Sequence, residues 1–237
     1  MEEGKQRKDE LESVRIVRRE FLRRSSRWIA GLGLLGNGPA SALAAAPALH
    51  TVLVFGDSLS AGYGMASEQA WPALLAHELA QRSATPPWQV VNASISGETT
   101  HGGAARLAAT LERVRPAVVI LELGGNDALR GLPLADSRRN LEAMATMVEA
   151  HHARLLVVGV ALPPNFGDDY TGEFARLFST LAARHHAALL PNLVESLGDS
   201  REAFQADGIH PQGRAQPQLL ASVMRHLEPL LAGRPPR

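Results

Sequence analysis

Residues 51–60 read TVLVFGDSLS, and this stretch joins a buried strand to a sharp polar turn. The run from Thr51 to Phe55 is apolar after its first residue, which is typical of a strand covered on both faces of a sheet. Gly56, Asp57 and Ser58 follow without a linker. We therefore expect the Ser58 hydroxyl at the carboxyl end of the strand, near the start of a helical turn whose N–H groups favour developing negative charge.

The alternation of short apolar strands with helical spacing continues to the end of the chain. The further predicted strands are Gln89 to Ala93, Ala117 to Leu123, Leu155 to Val160 and Ala188 to Leu190. The predicted helices are Ala70 to Gln81, Gly103 to Arg113, Arg138 to His152, Glu173 to His185 and Gln216 to Leu231. This order predicts an α/β fold, a parallel sheet with helices on both faces, and ligand binding beyond the carboxyl ends of its strands.

A second polar turn, Asp207-Gly208-Ile209-His210-Pro211, precedes the last predicted helix. Nucleophilic catalysis by a serine requires a base for its proton and a carboxylate that orients the base. Asp207, three residues before His210, could bond one ring nitrogen and leave the other facing Ser58. The alternative is an ordinary surface turn.

Two further loops contain candidate donors for an oxyanion hole. Gly97 follows the second predicted strand, and Asn126 lies in the Gly-Gly-Asn-Asp turn after the third. A glycine can present its backbone N–H closely to a ligand, and Asn126 could offer its side-chain amide. Each loop alone is also a routine turn signal.

Together these four blocks resemble the SGNH, or GDSL-type, hydrolases, in the family's order and each after the expected strand. The resemblance extends from about residue 50 to about residue 230. The longer strings resemble the bacterial group of multifunctional thioesterases, lysophospholipases and arylesterases; they are VFGDSLSAGYG, WPALL, VVNASISGET, LELGGNDALRG and DGIHP.

The resemblance implies a flavodoxin-like three-layer α/β/α sandwich with five parallel strands in the order 2-1-3-4-5. It implies Ser58 as the nucleophile, His210 as general base and then acid, and Asp207 as its orienting carboxylate. The backbone N–H groups of Ser58 and Gly97 and the side chain of Asn126 would form the oxyanion hole. The reaction would pass through an acyl-enzyme, with no cofactor and no metal.

The expected substrates are small acyl esters, thioesters and lysophospholipids. An apolar pocket for a medium acyl chain is expected from two Leu-rich loops at the same sheet edge, although ordinary loop packing would explain them equally well; its predicted residues are Leu129, Leu132, Leu134, Leu162 and Phe166. The loop 162–170 is acidic, which argues against an anionic leaving group such as coenzyme A.

Residues 1–46 have the three-part pattern of an export signal. A charged stretch ends in Arg18-Arg19-Glu20-Phe21-Leu22-Arg23, followed by a weakly apolar run from Trp28 to Leu43 and a small-residue cluster at 42–46. The paired arginines and the diluted apolar run resemble a twin-arginine signal. We expect the signal to be cleaved after transient contact with the twin-arginine machinery, leaving a hydrolase domain of 47–237 in the periplasm or secreted. The apolar run is too short for a stable membrane span.

Composition and absent motifs exclude several other classes. Nine of the 24 basic and six of the 24 acidic residues precede Ala45, so the remainder is mildly acidic, which argues against binding to nucleic acid. The chain has no cysteine and no G-x-S-x-G elbow, so thiol catalysis and the α/β-hydrolase class are disfavoured. A carbohydrate acetylesterase of the same family, with a shallow polar pocket, and a non-catalytic ligand-binding module remain as alternatives.

Overall fold

The computed structural model describes residues 50–84, 86–198 and 200–234. The predicted export signal, residues 1–46, lies outside the described residues.

Within the described part of the chain, five parallel strands form one sheet in the order β2-β1-β3-β4-β5. Their bounds are β1 His50–Gly56, β2 Trp88–Asn92, β3 Val118–Glu122, β4 Arg154–Val158 and β5 Ala188–Leu190. The predicted strand order and fold class are confirmed. In the sheet register, Val54 of β1 pairs with Asn92 of β2, and Gly56 pairs with Glu122 of β3. The ends of β1 and β3 are therefore adjacent.

Seven α-helices connect and follow the strands in the described residues. They are α1 Ser58–Ala61, α2 Trp71–Ala80, α3 Thr100–Val114, α4 Gly125–Leu129, α5 Leu134–Ala150, α6 Asp168–Arg184 and α7 Gln216–Leu231. The five predicted helices correspond to α2, α3, α5, α6 and α7. Helix α3 begins at Thr100, before the predicted Gly103, because the Thr99 side chain accepts the N–H of Gly102 and caps the helix. Helices α1 and α4 are too short to give a periodic signal.

The helices cover both faces of the sheet, and β1 contributes alternate side chains to each core. Leu53 and Phe55 pack on the face covered by α3, α5 and α6, whereas Val52 and Val54 pack on the face covered by α2 and α7. All four side chains are completely buried. This arrangement is the predicted three-layer sandwich, and it explains why β1 is apolar at each position from Val52 to Phe55.

One ion-pair cluster joins α5 to α6 away from the sheet edge that carries the polar turns. His185, just after α6, lies 2.9 Å from both Glu142 and Glu149 of α5, one carboxylate at each ring nitrogen. Burial lowers the pKa of His185, but the hydrogen bonds to Glu142 and Glu149 outweigh it, so the net shift of this pKa is upward.

None of the helices in the residues that the structure describes is both long enough and apolar enough to cross a lipid bilayer.

Candidate active site

The turn after β1 places Ser58 at the first position of α1. Asp57 precedes it and caps the helix, since its Oδ1 accepts the N–H of Leu59 at 3.0 Å. Gly56 permits the close approach of β3: a Cβ atom there would lie 2.6 Å from Oε2 of Glu122 and 2.9 Å from Oγ of Ser60. A larger residue would force the turn away from the sheet, so position 56 of the Gly-Asp-Ser turn requires glycine for steric reasons.

A continuous chain of hydrogen bonds runs from Ser58 to Asp207. Oγ of Ser58 lies 2.8 Å from Nε2 of His210, and Nδ1 of His210 lies 2.7 Å from Oδ2 of Asp207. The second carboxylate oxygen of Asp207 accepts the backbone N–H groups of Ile209 at 2.9 Å and His210 at 3.0 Å. Gly208 has a φ of +70°, which an L side chain rarely adopts. The tight turn thus places the Asp207 carboxylate against the ring of His210, three residues further along the chain.

The environment of Asp207 keeps its carboxyl group ionised. Partial burial raises the pKa of Asp207, but hydrogen bonds from the N–H groups of His210 and Ile209 and from the His210 ring outweigh this and lower it to about 2. A carboxylate accepts a proton-bearing nitrogen, so Nδ1 of His210 carries the hydrogen and the neutral ring has Nε2 free to accept from Ser58. This tautomer is the one that a general base at Ser58 requires.

The loop after β2 holds Gly97 in place through its carbonyl group. Gly97 has a φ of +78°, and its oxygen accepts a hydrogen bond from Nη2 of Arg130 at 2.8 Å. Arg106 fixes the rest of the loop by donating to the carbonyl of Ala93 at 2.8 Å and to Glu98 at 2.5 Å. The two arginines hold the loop against α3 and α4, and Gly97 lines the cavity beside Ser58.

Helix α4 follows β3 and carries Asn126 and Asp127. Nδ2 of Asn126 donates to Oδ2 of Asp57 at 2.9 Å, and the amide also lines the cavity, where its second hydrogen can meet a substrate oxygen. Asp127 is buried and accepts the N–H of Thr100 at 2.8 Å, which fixes the start of α3. Asp57 and Asp127 therefore serve as acceptors that stabilise turns.

A cavity of about 760 Å³ opens beside Ser58 and His210. Two of the five predicted pocket residues, Leu129 and Leu162, line it. The other three lie elsewhere, which corrects the prediction for them. Leu134 begins α5 and is buried in the core, Leu132 is 38% exposed on the surface, and Phe166 stacks on Tyr170 with 6.0 Å between ring centroids.

Residues 54–216 match the family model described as GDSL-like Lipase/Acylhydrolase. The chain belongs to this family. It is an acylhydrolase of the GDSL type, and the four motif blocks lie within or directly beside one site.

Relatives of this acylhydrolase include Esterase TesA of Pseudomonas aeruginosa, 47% identical over 184 residues that cover 78% of this chain and 90% of the relative. Thioesterase 1/protease 1/lysophospholipase L1 of Escherichia coli K12 is 40% identical over 186 residues, covering 78% and 87%. A crystal structure of TesA superposes with a TM-score of 0.73 at 46% identity, covering 76% of this chain and 99% of that one.

Several lining residues of the acylhydrolase were not predicted from the sequence. The ring of Tyr63 lies 4.5 Å from the His210 ring, centroid to centroid, although its side chain is largely exposed. Val160, Val194 and Phe204 complete the apolar walls. Tyr63 is within the quoted string VFGDSLSAGYG, so its proximity to Ser58 was a usable signal. Val194 and Phe204 come from irregular loops, whose side-chain directions follow no period.

Proposed function

We propose that this chain hydrolyses acyl esters and thioesters through an acyl-enzyme on Ser58. Oγ of Ser58 attacks the acyl carbonyl carbon while Nε2 of His210 removes the hydroxyl proton. The tetrahedral adduct then collapses, the bond to the alkoxide or thiolate breaks, and His210 returns the proton to the leaving group. Water then attacks the acyl-enzyme with His210 again as base, which releases the carboxylic acid and restores Ser58. Asp207 keeps the ring in the required tautomer and stabilises the imidazolium.

The oxyanion of each tetrahedral adduct would be bound by three donors, the backbone N–H groups of Ser58 and Gly97 and the side-chain amide of Asn126. Removing one such donor in a comparable site costs about 2.7–4 kcal/mol of transition-state stabilisation. Two of the three donors lie at the first turns of α1 and α4, where N–H groups lack partners within the helix and attract negative charge.

The observation that carries this proposal is the unbroken chain from Ser58 through His210 to Asp207 at the wall of a large cavity. Serine, imidazole and carboxylate at hydrogen-bond distances are what a serine hydrolase requires before substrate arrives. The walls are mainly apolar, which suits an acyl chain better than a sugar.

The leaving group is proposed to be that of a lipid or a simple ester in preference to coenzyme A. No Lys or Arg belongs to the described lining of the cavity, and its acidic side chains are Asp57 and Glu195. A polyphosphate inside the cavity would therefore meet no lysine or arginine among the lining side chains. The name of the Escherichia coli relative includes both thioesterase and lysophospholipase activity, so both leaving groups belong in the test.

The decisive experiment compares hydrolysis of a p-nitrophenyl ester series of increasing chain length by the unchanged protein and by Ser58→Ala. Loss of the nucleophile in comparable triads costs on the order of a millionfold in kcat. Ser179→Ala, an exposed serine of α6 that lies outside the site, is the matched control and should keep full activity. Full activity in Ser58→Ala would refute the mechanism, and activity confined to acetate would favour a carbohydrate acetylesterase.

The leaving-group proposal needs a second comparison. Rates on a lysophospholipid and on an acyl-CoA of matched chain length should differ in kcat/KM, with the lysophospholipid preferred. A preference for acyl-CoA would contradict the proposed substrate class and leave the serine mechanism intact.

We also propose that the domain acts in the periplasm or as a secreted enzyme after twin-arginine export. The support is the sequence of residues 1–46, with Arg18 and Arg19 before a weak apolar run. Cell fractionation of a bacterial host would test this by locating the esterase activity. Replacing both arginines by lysine should retain the activity in the cytoplasm, and unchanged export of that variant would contradict the twin-arginine route.

A further inference from the structure

Glu122, the last residue of β3, is a buried acid that the proposed mechanism does not use. It is 1% exposed and lies directly beneath the nucleophile turn, paired in register with Gly56. Its Oε2 accepts the hydroxyl of Ser60 at 2.8 Å and the backbone N–H of Asp57 at 3.3 Å. Its Oε1 is buried and has no hydrogen-bond partner among the described residues.

The surroundings of Glu122 favour a neutral acid over a carboxylate. No lysine, arginine or histidine is among its hydrogen-bond or ion-pair partners in the described chain, so a negative charge there would be uncompensated. The backbone N–H of Asp57 donates to the Glu122 carboxyl group at 3.3 Å, which places the acids of both residues in one buried site. Two carboxyl groups in one buried site cannot both ionise, and one keeps its proton.

Asp57 is the member of the pair that accepts hydrogen bonds. It takes the N–H of Leu59 on one oxygen and the amide of Asn126 on the other. Burial raises the pKa of Asp57 to about 6, against the effect of those two hydrogen bonds. The pKa of Glu122 is raised well above its usual value by complete burial and then by the charge of Asp57. Near neutral pH, Asp57 is thus mostly ionised and Glu122 is protonated.

We propose that Glu122 is a positioning residue of the active site: as a neutral acid it accepts the Ser60 hydroxyl and the Asp57 N–H, and so fixes the Ser58 turn and the residue that holds the Asn126 amide. The inference rests on the proposed roles of Ser58 and Asn126. A proton on Glu122 leaves the charge of the pair on Asp57, which accepts the amide of Asn126 and leaves the second amide hydrogen for the substrate oxygen. One buried proton thereby aligns the nucleophile with an oxyanion donor.

Ionisation of Glu122 at alkaline pH would place a second charge against Asp57 and disrupt this alignment. The charged group that faces Glu122 is Asp57, and Asp57 is faced in turn by His210 from the C-terminal loop and by Asp127 from α4. Activity of the unchanged protein should therefore fall at alkaline pH.

Glu122→Gln is the informative variant, because its amide oxygen can accept from the Ser60 hydroxyl and the Asp57 N–H, and the amide does not titrate. Its kcat should stay within about threefold of the unchanged protein, and its alkaline loss of activity should disappear. Glu122→Leu leaves the Ser60 hydroxyl and the Asp57 N–H without an acceptor. Its kcat should fall at least about tenfold with KM little changed.

Infrared spectroscopy of the full chain tests the protonation itself, even if Glu122→Leu fails to fold. The unchanged protein at neutral pH should show the C=O stretch of a protonated carboxyl group, and Glu122→Gln should lack it. Identical spectra, or loss of activity in Glu122→Gln at all pH values, would overturn the proposal. The infrared band does not depend on turnover, so it tests the protonation of Glu122 even if the Ser58 mechanism is wrong. The Ser58 mechanism is tested separately by Ser58→Ala.

Discussion

Replacing Asp207 by Asn tests the triad with little disturbance of the fold. The Asn side-chain oxygen can still accept the N–H groups of Ile209 and His210, which now bond one Asp207 oxygen. The other position would become an NH₂ group facing Nδ1 of His210 at a distance that is now 2.7 Å. The ring must then accept at Nδ1 and carry its hydrogen on Nε2, so it can no longer take the proton of Ser58.

The size of the effect follows from charge and tautomer together. A pair of charges about 4 Å apart in an effective dielectric of about 20 attracts by about 4 kcal/mol. Because the Asp207 side chain is 37% exposed, water screens this attraction, and we take about half of it. The wrong tautomer adds the rest of the roughly 10³- to 10⁴-fold loss in kcat that we expect, or about 4–5.5 kcal/mol.

The assay is the kcat for the preferred p-nitrophenyl ester, with the exposed Asp169→Asn on α6 as the matched control. Circular dichroism should show the same folded content in both variants. An Asp207→Asn protein that retained more than about a tenth of the original kcat would refute the assignment of Asp207 as the group that orients His210.

Two further outcomes are expected. Because the pKa of His185 is raised, its ion pairs with Glu142 and Glu149 stabilise the fold at low pH and stop doing so as pH rises through that pKa. His185→Gln should therefore lower Tm more at about pH 6 than at about pH 8.5. An equal loss of Tm at both pH values would show that the charge of His185 does not stabilise the fold. Leu162→Trp should shorten the preferred acyl chain, whereas Leu132→Trp should leave the chain-length profile unchanged, and equal profiles for both would place the acyl group elsewhere.

The regular part of the fold was predictable because its signals are local. A continuous apolar run such as Val52 to Phe55 indicates a buried strand, and helical periodicity located the five long helices to within a few residues. The strand order is a matter of distant pairing, and it came from the family resemblance. Helices α1 and α4 have four and five residues, and their starts depend on how Asp57 and Gly124 leave the sheet.

The acyl pocket was predicted least well, since it is formed by side chains on irregular loops. Leu134 did carry a usable signal, because it precedes Leu141 and Val148 by whole heptads on the apolar face of α5, and all three are buried in the same core cluster. Extending the predicted helix by one turn at its start would have placed Leu134 in the core. Glu122 also carried a usable signal. It ends the run VVILE, and an ionisable residue in a strand covered on both faces is unusual.

The strand order itself explains why residues from four separate blocks meet. The order in which strands are added to the sheet reverses at β1, which has β2 on one side and β3 on the other. The loops after these three strands therefore converge at one edge, with Gly97 and Asn126 on either side of Ser58, at the switch point where open α/β sheets bind ligands. Because α1 and α4 both begin at this edge, it holds N–H groups of two helix first turns, which have no partner within the helix. A site that stabilises an oxyanion follows from this topology once a serine and a histidine are brought to it.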